Sequence, residues 1–397
     1  MDHFQSSPRM PSASDRTFSL VDTSLDVDHS DSRQADAAPA SRLALVQGDL
    51  LLAHPVESVP AHWQNAIDDV TKALSVDTRW VPAERPVGLI EKARRAVGSS
   101  ADAPLPVFAP WLSSSPTALQ LGQANLLAPQ AKWVASYLFD FGLGEPRGHS
   151  PIDLMVMSPC PGVCETQDAM TGSIPRMNVM ASMVRAAMAE GRKRIVVITK
   201  QAARATVATR LLAADASFNQ ASLEIEFLSL EEAVTRVQRG APDWHAVIAM
   251  PDLRGVVFAM LAEAIGVTGA WPCLWFDRDL CLVSSETLSP PSGPDDLDAS
   301  ALMQSLALLA QHSGRLYAAE RLYQGWAVIR DSGVATALRT SSAPYVNEIT
   351  EHAFIDLVTQ NRAYTGRALP VWKSIASQDR GEGKAKAPAR LSLVASQ

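Results

Sequence analysis

The stretch Val247 to Pro272, VIAMPDLRGVVFAMLAEAIGVTGAWP, decides how this chain is read. Its first residues form an apolar run that suits a buried strand. Pro251-Asp252-Leu253-Arg254-Gly255 carries turn chemistry, and the residues after it have the spacing of an amphipathic helix. Strand, turn and helix in that order are one step of an α/β architecture. Two helix residues four apart share a face, so two carboxylates there can jointly hold a hard divalent cation. This chain has Val256 and Met260 at such a pair. Neither offers a hard oxygen donor, and both are read, with Ile265, as core-facing.

The same alternation continues on both sides. Leu43 to Val46 reads as a buried strand, Ala61 to Leu74 as a helix, Trp80 to Pro82 as a strand, Val87 to Val97 as a helix and Pro106 to Ala109 as a strand. Ile152 to Met157 is a further buried strand. The helix expected over Arg176 to Glu190 carries an apolar stripe of Met177, Met180, Val184 and Met188. Strands at Ile195 to Thr199, Leu223 to Leu228 and Ala246 to Met250 alternate with helices at Ala202 to Ala214 and Leu230 to Gln238. Ser284 to Asp298 reads as a Pro/Ser/Asp loop, followed by helices at Ala299 to Gln311, Arg315 to Asp331 and Val346 to Asn361. The expected fold class is α/β with a largely parallel central sheet. Residues 1–41, rich in Ser, Asp, Pro and Ala, are expected to form a disordered arm, and residues 374–397 a disordered tail.

Composition narrows the function classes. The chain has 397 residues, is 47% hydrophobic and only 19% charged, so it can bury a large core. Its net charge of −7 and the lack of a Lys/Arg stripe interleaved with aromatics argue against a nucleic-acid surface. No apolar run reaches membrane-spanning length and no secretory signal opens the chain, so a cytoplasmic location is expected. Four cysteines are too few for a disulfide scaffold in a chain of this length. Cys160-x-x-x-Cys164, Cys273 and Cys281 lack the spacing of a zinc ribbon. No GxGxxG, P-loop or GxSxG motif is present.

The segment Asp252-Leu253-Arg254-Gly255 resembles the Asn-Leu-x-Gly-Asp turn of the isocitrate/isopropylmalate dehydrogenase family. Gln47-Gly48-Asp49 is similar to the opening of that family's Gly-Asp-Gly-Ile-Gly-Pro-Glu turn, and Ile152 to Val156 to its middle-region strand. The order of elements matches from about Arg42 to Asn361. The resemblance implies two α/β domains, a larger one from 42–125 plus 252–361 and a smaller dimerisation domain from 126–251. It implies NAD(P)-dependent oxidation of a 2-hydroxy acid with metal-assisted loss of CO₂.

It also says where the chemistry should lie. The two metal aspartates fall on Val256 and Met260, and the three substrate-binding arginines on Ala128, Leu138 and Ser158, with Arg147 a nearby substitute. Carboxylate recognition favours forked guanidinium donors, which those three positions lack. The family's lysine falls on Lys200, its cross-subunit aspartate on Glu232, and its tyrosine on Cys164 or Glu165. The adenosine-binding loop falls on Leu282 to Leu288, without its His-Gly pair.

These departures lead to an expectation of a catalytically degenerate homologue, a pseudoenzyme in a regulatory, assembly or binding role. It would need neither cofactor nor metal and would act as a homodimer or a hetero-oligomer with a catalytic paralogue. The alternative is a divergent oxidoreductase or decarboxylase using Lys200, Glu232 and Cys164, with NAD(P) and Mg²⁺ or Mn²⁺. A second alternative is a small-molecule sensor with an apolar cleft at Leu138, Val256 and Met260.

Overall fold

The computed structural model describes residues 50–53, 61–81, 105–116, 131–140, 152–166, 170–219, 223–240, 243–266, 269–277, 280–288, 297–339, 346–360 and 372–376. The expected strand at Leu43 to Val46, the helix at Val87 to Val97, and positions Ala128 and Arg147 lie outside these residues.

One mixed sheet organises the described chain. Its strands are β1 (Leu50–Ala53), β2 (Thr78–Val81), β3 (Leu105–Ser114), β4 (Trp133–Asp140), β5 (Ile152–Pro159), β8 (Arg194–Thr199), β9 (Glu224–Ser229), β10 (Ala246–Ala249), β11 (Trp271–Asp277) and β12 (Leu280–Glu286). The ten strands run in the order β2-β1-β3-β12-β11-β4-β5-β10-β8-β9. Six of the pairings are parallel and three antiparallel, the antiparallel ones joining β12, β11, β4 and β5 at the centre. Two parallel flanks therefore meet through an antiparallel middle. Strands covered on both faces read as near-continuous apolar runs, as in Ala246 to Ala249 and, broken only by Ser136, Val134 to Phe139. Two short ribbons complete the strands: β6 (Cys164–Thr166) with β7 (Ser173–Pro175), and β13 (Val334–Thr336) with β14 (Asn347–Ile349).

The helices are α1 (Ala61–Ala73), α2 (Met177–Ala189), α3 (Arg204–Ala214), α4 (Leu230–Gln238), α5 (Arg254–Ile265), α6 (Ala299–His312), α7 (Leu316–Asp331), α8 (Glu351–Gln360) and α9 (Lys373–Ala376). Local chemistry explains several boundaries. Asp298 starts α6 by accepting from Ala301 N at 2.7 Å, and Ser229 and Glu232 form a reciprocal capping box on α4. Helix α6 is buried from Ala299 to Gln311 and lies against β3, β11 and β12.

Four expectations change. Helix α5 is not amphipathic: its sequence is apolar nearly all round, and it buries Val257, Phe258, Leu261 and Ile265. Val256 is therefore not core-facing; it is 53% exposed, with Met260 one turn on only partly buried. The i, i+4 geometry that would bring two carboxylates together also turns this pair away from the face that fills the core. Leu282 to Leu288 is not a nucleotide loop: most of it belongs to β12, a strand inside the sheet. The expected helix from Val346 begins instead with β14, and α8 starts at Glu351. At the start of the expected tail, Ser374 to Ala376 lie in α9, anchored by the buried Trp372. No described helix is long and apolar enough to cross a membrane.

Candidate functional site

In open α/β sheets, ligands bind beyond the carboxyl ends of parallel strands. At that rim here, β8 ends at Thr199 and delivers Lys200, while its neighbour β10 ends at Ala249 and leads to Asp252. Lys200 Nζ lies 3.0 Å from Asp252 Oδ2, both side chains about one-third exposed. The β6–β7 ribbon closes over the pair. Gly172, with φ +70°, lies so near that a Cβ there would sit 2.7 Å from Asp252 Oδ2 and 3.1 Å from Lys200 Cδ. Only a residue without a side chain fits that approach and that backbone conformation.

Cys164 borders the same rim. Its Sγ donates to Cys160 O at 3.5 Å, and burial, helped by the Asp252 carboxylate, pushes its thiol up to about 12. It is therefore a protonated thiol at neutral pH, not a nucleophilic thiolate. Glu232 is committed elsewhere: both its oxygens accept from Arg204 Nη1 at 2.9 Å, and Oε2 also caps Ser229 N at 2.9 Å. The rim thus brings Lys200 and Cys164 to Asp252, while Glu232 serves the start of α4. Asp252 and Gly172 had no assigned role in the sequence. The signal for Asp252 was its place just past a strand that runs parallel beside the one leading to Lys200.

The other expected positions are interior. Leu138 is buried in β4 and offers no surface to a ligand, and Ser158 is buried in β5. Ser158 nevertheless has a guanidinium against it. Arg254, at the start of α5, donates through Nη1 to Ser158 Oγ and to Val156 O, each at 3.3 Å. Its Nη2 donates to Ser136 Oγ at 2.7 Å and to Glu286 Oε2 at 2.9 Å. Ser136 also donates to Glu286, and Trp271 Nε1 approaches the same carboxylate at 3.4 Å. The Arg254 and Glu286 side chains are 0% and 2% exposed. A charge taken this far from water is tolerable only with a partner and hydrogen bonds. This arginine holds strands β4, β5 and β12 and helix α5 together, and its charge is already matched.

The described residues do not fit the metal or nucleotide that the resemblance implies. Val256 and Met260 supply no hard oxygen donor, and an ammonium already stands against Asp252. Among the described residues no group of three or more His, Cys, Asp or Glu side chains gathers as a metal site. Cys281 to Glu286 are buried, so β12 has no backbone free to approach a pyrophosphate.

No family model matches the chain, and no curated protein sequence matches it. Among solved structures, it is similar to the TT0538 protein of Thermus thermophilus, with a TM-score of 0.56 and 16% identity over 87% of this chain and 72% of that one. It is also similar to isocitrate dehydrogenase of Methylococcus capsulatus, with a TM-score of 0.50 and 15% identity over 79% of this chain and 99% of that one. Identities this low speak to architecture alone: the chain has an α/β fold similar to that of isocitrate dehydrogenase.

Proposed function

We propose that this chain is a catalytically degenerate protein on an isocitrate dehydrogenase-like fold, serving as a regulatory, assembly or binding scaffold. It would act as a homodimer or beside a catalytic paralogue. One observation carries the reading: the segment expected to cradle a nucleotide is the interior strand β12, and its Glu286 is held by the buried Arg254. Forming a nucleotide loop there would mean withdrawing a strand from the sheet and uncovering a buried ion pair.

The test is thermal shift of the full chain with NAD, NADP, Mg²⁺ and Mn²⁺, each with and without isocitrate or isopropylmalate. A native-state ligand at a hundred times its Kd stabilises by about 2.7 kcal/mol, whereas a degenerate site predicts a flat melting temperature across the panel. Stabilisation that requires a nucleotide and a divalent ion together would overturn the reading.

A second reading is favoured by the Lys200–Asp252 pair at the carboxyl ends of β8 and β10. A divergent decarboxylase could use Lys200, its proton passed to Asp252, as an amine that adds to the carbonyl of a 2-oxo acid and, with loss of water, gives a Schiff base. It would depend on Lys200 without help from Glu232 or a Cys164 thiolate, given their surroundings. Borohydride trapping of a 2-oxo acid on Lys200 would favour it, and the absence of any adduct would remove it.

A further inference from the structure

At the opposite rim of the sheet, the carboxyl end of β4 pairs with the amino end of β5. A four-residue segment is seated there. Trp372 is 1% exposed. Its ring stacks on Phe139 of β4 with centroids 5.2 Å apart and planes at 18°. It meets Tyr137 of β4 edge-on at 6.2 Å, and Tyr323 of α7 at 6.0 Å.

The next two residues are held through backbone and side chain alike. Lys373 N donates to Asp153 Oδ2 at 2.9 Å, and its Nζ lies 3.4 Å from the same oxygen. Asp153 is itself fixed, its Oδ1 accepting from Arg192 at 2.9 Å. Arg192 in turn donates to Glu190, which accepts from Tyr137 at 2.7 Å. Gln311 of α6 makes a reciprocal pair with Ser374, donating to its carbonyl and accepting from its hydroxyl at 3.2 Å. Ile375 packs beside Ala310 and Ala318, at the junction of α6 and α7.

We infer that Trp372–Ile375 is a strap that clamps helices α6 and α7 onto strands β4 and β5, its attachment set by the Trp372 anchor. The contacts divide between two layers: β4, β5 and Arg192 on one side, α6 and α7 on the other. Its anchoring pattern is that of a docked linear peptide, a rigid aromatic in a closed pocket flanked by main-chain hydrogen bonds. Released, it would uncover Phe139 and Tyr323 and loosen the rim opposite Lys200 and Asp252, leaving β4 tied to the helices by Gln304, which donates to Phe139 O at 3.0 Å, and by Arg330, which pairs with Asp140 at 3.0 Å. The inference is independent of whether the chain is an enzyme.

The test uses the full chain with a protease-recognition sequence inserted between Thr365 and Gly366. After cleavage, the carboxyl-terminal fragment of the otherwise unchanged chain is expected to co-elute with the body in gel filtration. In Trp372→Ala it is expected to dissociate, leaving a body with unchanged far-UV circular dichroism but faster hydrogen exchange in both Trp133–Asp140 and Leu316–Asp331. Loss of the unchanged fragment on cleavage, retention of the Trp372→Ala fragment, or exchange that stays slow in either layer after release would overturn the inference. If Trp372→Ala does not fold before cleavage, Gln311→Leu serves the same measurement. It is expected to speed fragment release about tenfold, since interface substitutions act mainly on dissociation, and an unchanged release rate would sink the clamp.

Discussion

Replacing Glu286 by Gln tests the interior ion pair at its centre. The carboxylate is 2% exposed, accepts from Arg254 at 2.9 and 3.3 Å, and also receives Ser136 and Trp271 Nε1. The amide keeps the shape and some hydrogen bonds but removes the charge that compensates a fully buried guanidinium. Breaking a buried pair on one side costs about 3–5 kcal/mol, because an uncompensated charge is left behind. A folded domain has only about 5–15 kcal/mol to lose, so this one change should consume a large part of the total. Arg254→Met should cost a similar amount by stranding Glu286. The double variant Arg254→Met/Glu286→Leu removes both charges and should lose much less stability than the two single losses added together, because apolar replacement of a whole buried pair is often neutral or stabilising.

Urea unfolding by circular dichroism measures the cycle, with the midpoint read at constant slope so that stability and denatured-state changes separate. Single losses under about 1 kcal/mol, or a double variant equal to the sum of the singles, would refute the argument. The first would mean that water reaches the guanidinium, the second that the two side chains do not share their energy.

Three further outcomes follow from local geometry. Gly172→Ala forces a left-handed residue with a Cβ 2.7 Å from Asp252 Oδ2; it should cost about 1 kcal/mol or more and raise Lys200 acylation, and an unchanged acylation rate would count against the close approach. Gly325→Ala puts a Cβ 2.5 Å from Val358 O, where α7 meets α8; overpacking of this kind costs about 1–3 kcal/mol, and hydrogen exchange in Glu351–Gln360 should quicken. His312 is held down to about 4 by burial, and its Nε2 has no hydrogen-bond partner among the described residues. The neutral form is thus favoured in the fold, so the unfolded chain takes up the proton first. Stability should be level above about pH 6.5, fall as pH drops from there to about 4, and level again below. The total is about 1–3 kcal/mol after allowing for partial exposure. His312→Gln should flatten that stretch of a stability-against-pH curve, and an unaltered slope would remove His312 as its source.

Much of the α/β pattern was legible because single residues announce it. Asp298 before α6 and Ser229-x-x-Glu232 before α4 are cap signatures that need no tertiary context. The parallel strands Ile195–Thr199 and Ala246–Ala249 were legible as unbroken apolar runs. The β11–β12 hairpin was not. Pro272 is the second residue of β11, paired with Ser285 of β12 just before the strand also joins β4 at Cys273, and a proline there ordinarily argues against reading a central strand. Once β11 is missed, β12 has no partner and reads as loop. The facing of α5 was illegible for a different reason. With apolar residues all round, periodicity carries no direction, and only the sheet decides that Val257 and Phe258 turn inward while Val256 does not.

The same limit separates the site that could be read from the one that could not. Lys200 was found because it follows a clear strand. Its partner Asp252 was hidden in a turn, and their closeness depends on β8 and β10 being neighbours, a fact of strand order that lies 50 or so residues away in the chain. Arg254 shows the sharper case. Sequence position leaves Ser158 without a guanidinium, while the fold supplies one from the start of helix α5, at 3.3 Å. That guanidinium is spent on Glu286 and on holding three strands, so it could recognise a carboxylate substrate only by giving up its own. The interior of this chain is therefore built around a carboxylate it already contains, and its rim around a second, Asp252, already matched by Lys200. A ligand acid binding at either of these two places would have to displace the carboxylate already there. The rim pair is the easier to open, since a partly exposed ion pair contributes about 0–1 kcal/mol, whereas taking one partner from a buried pair costs about 3–5 kcal/mol. A carboxylate ligand, if one binds, should therefore compete with Asp252 for Lys200, and Asp252→Asn should tighten it.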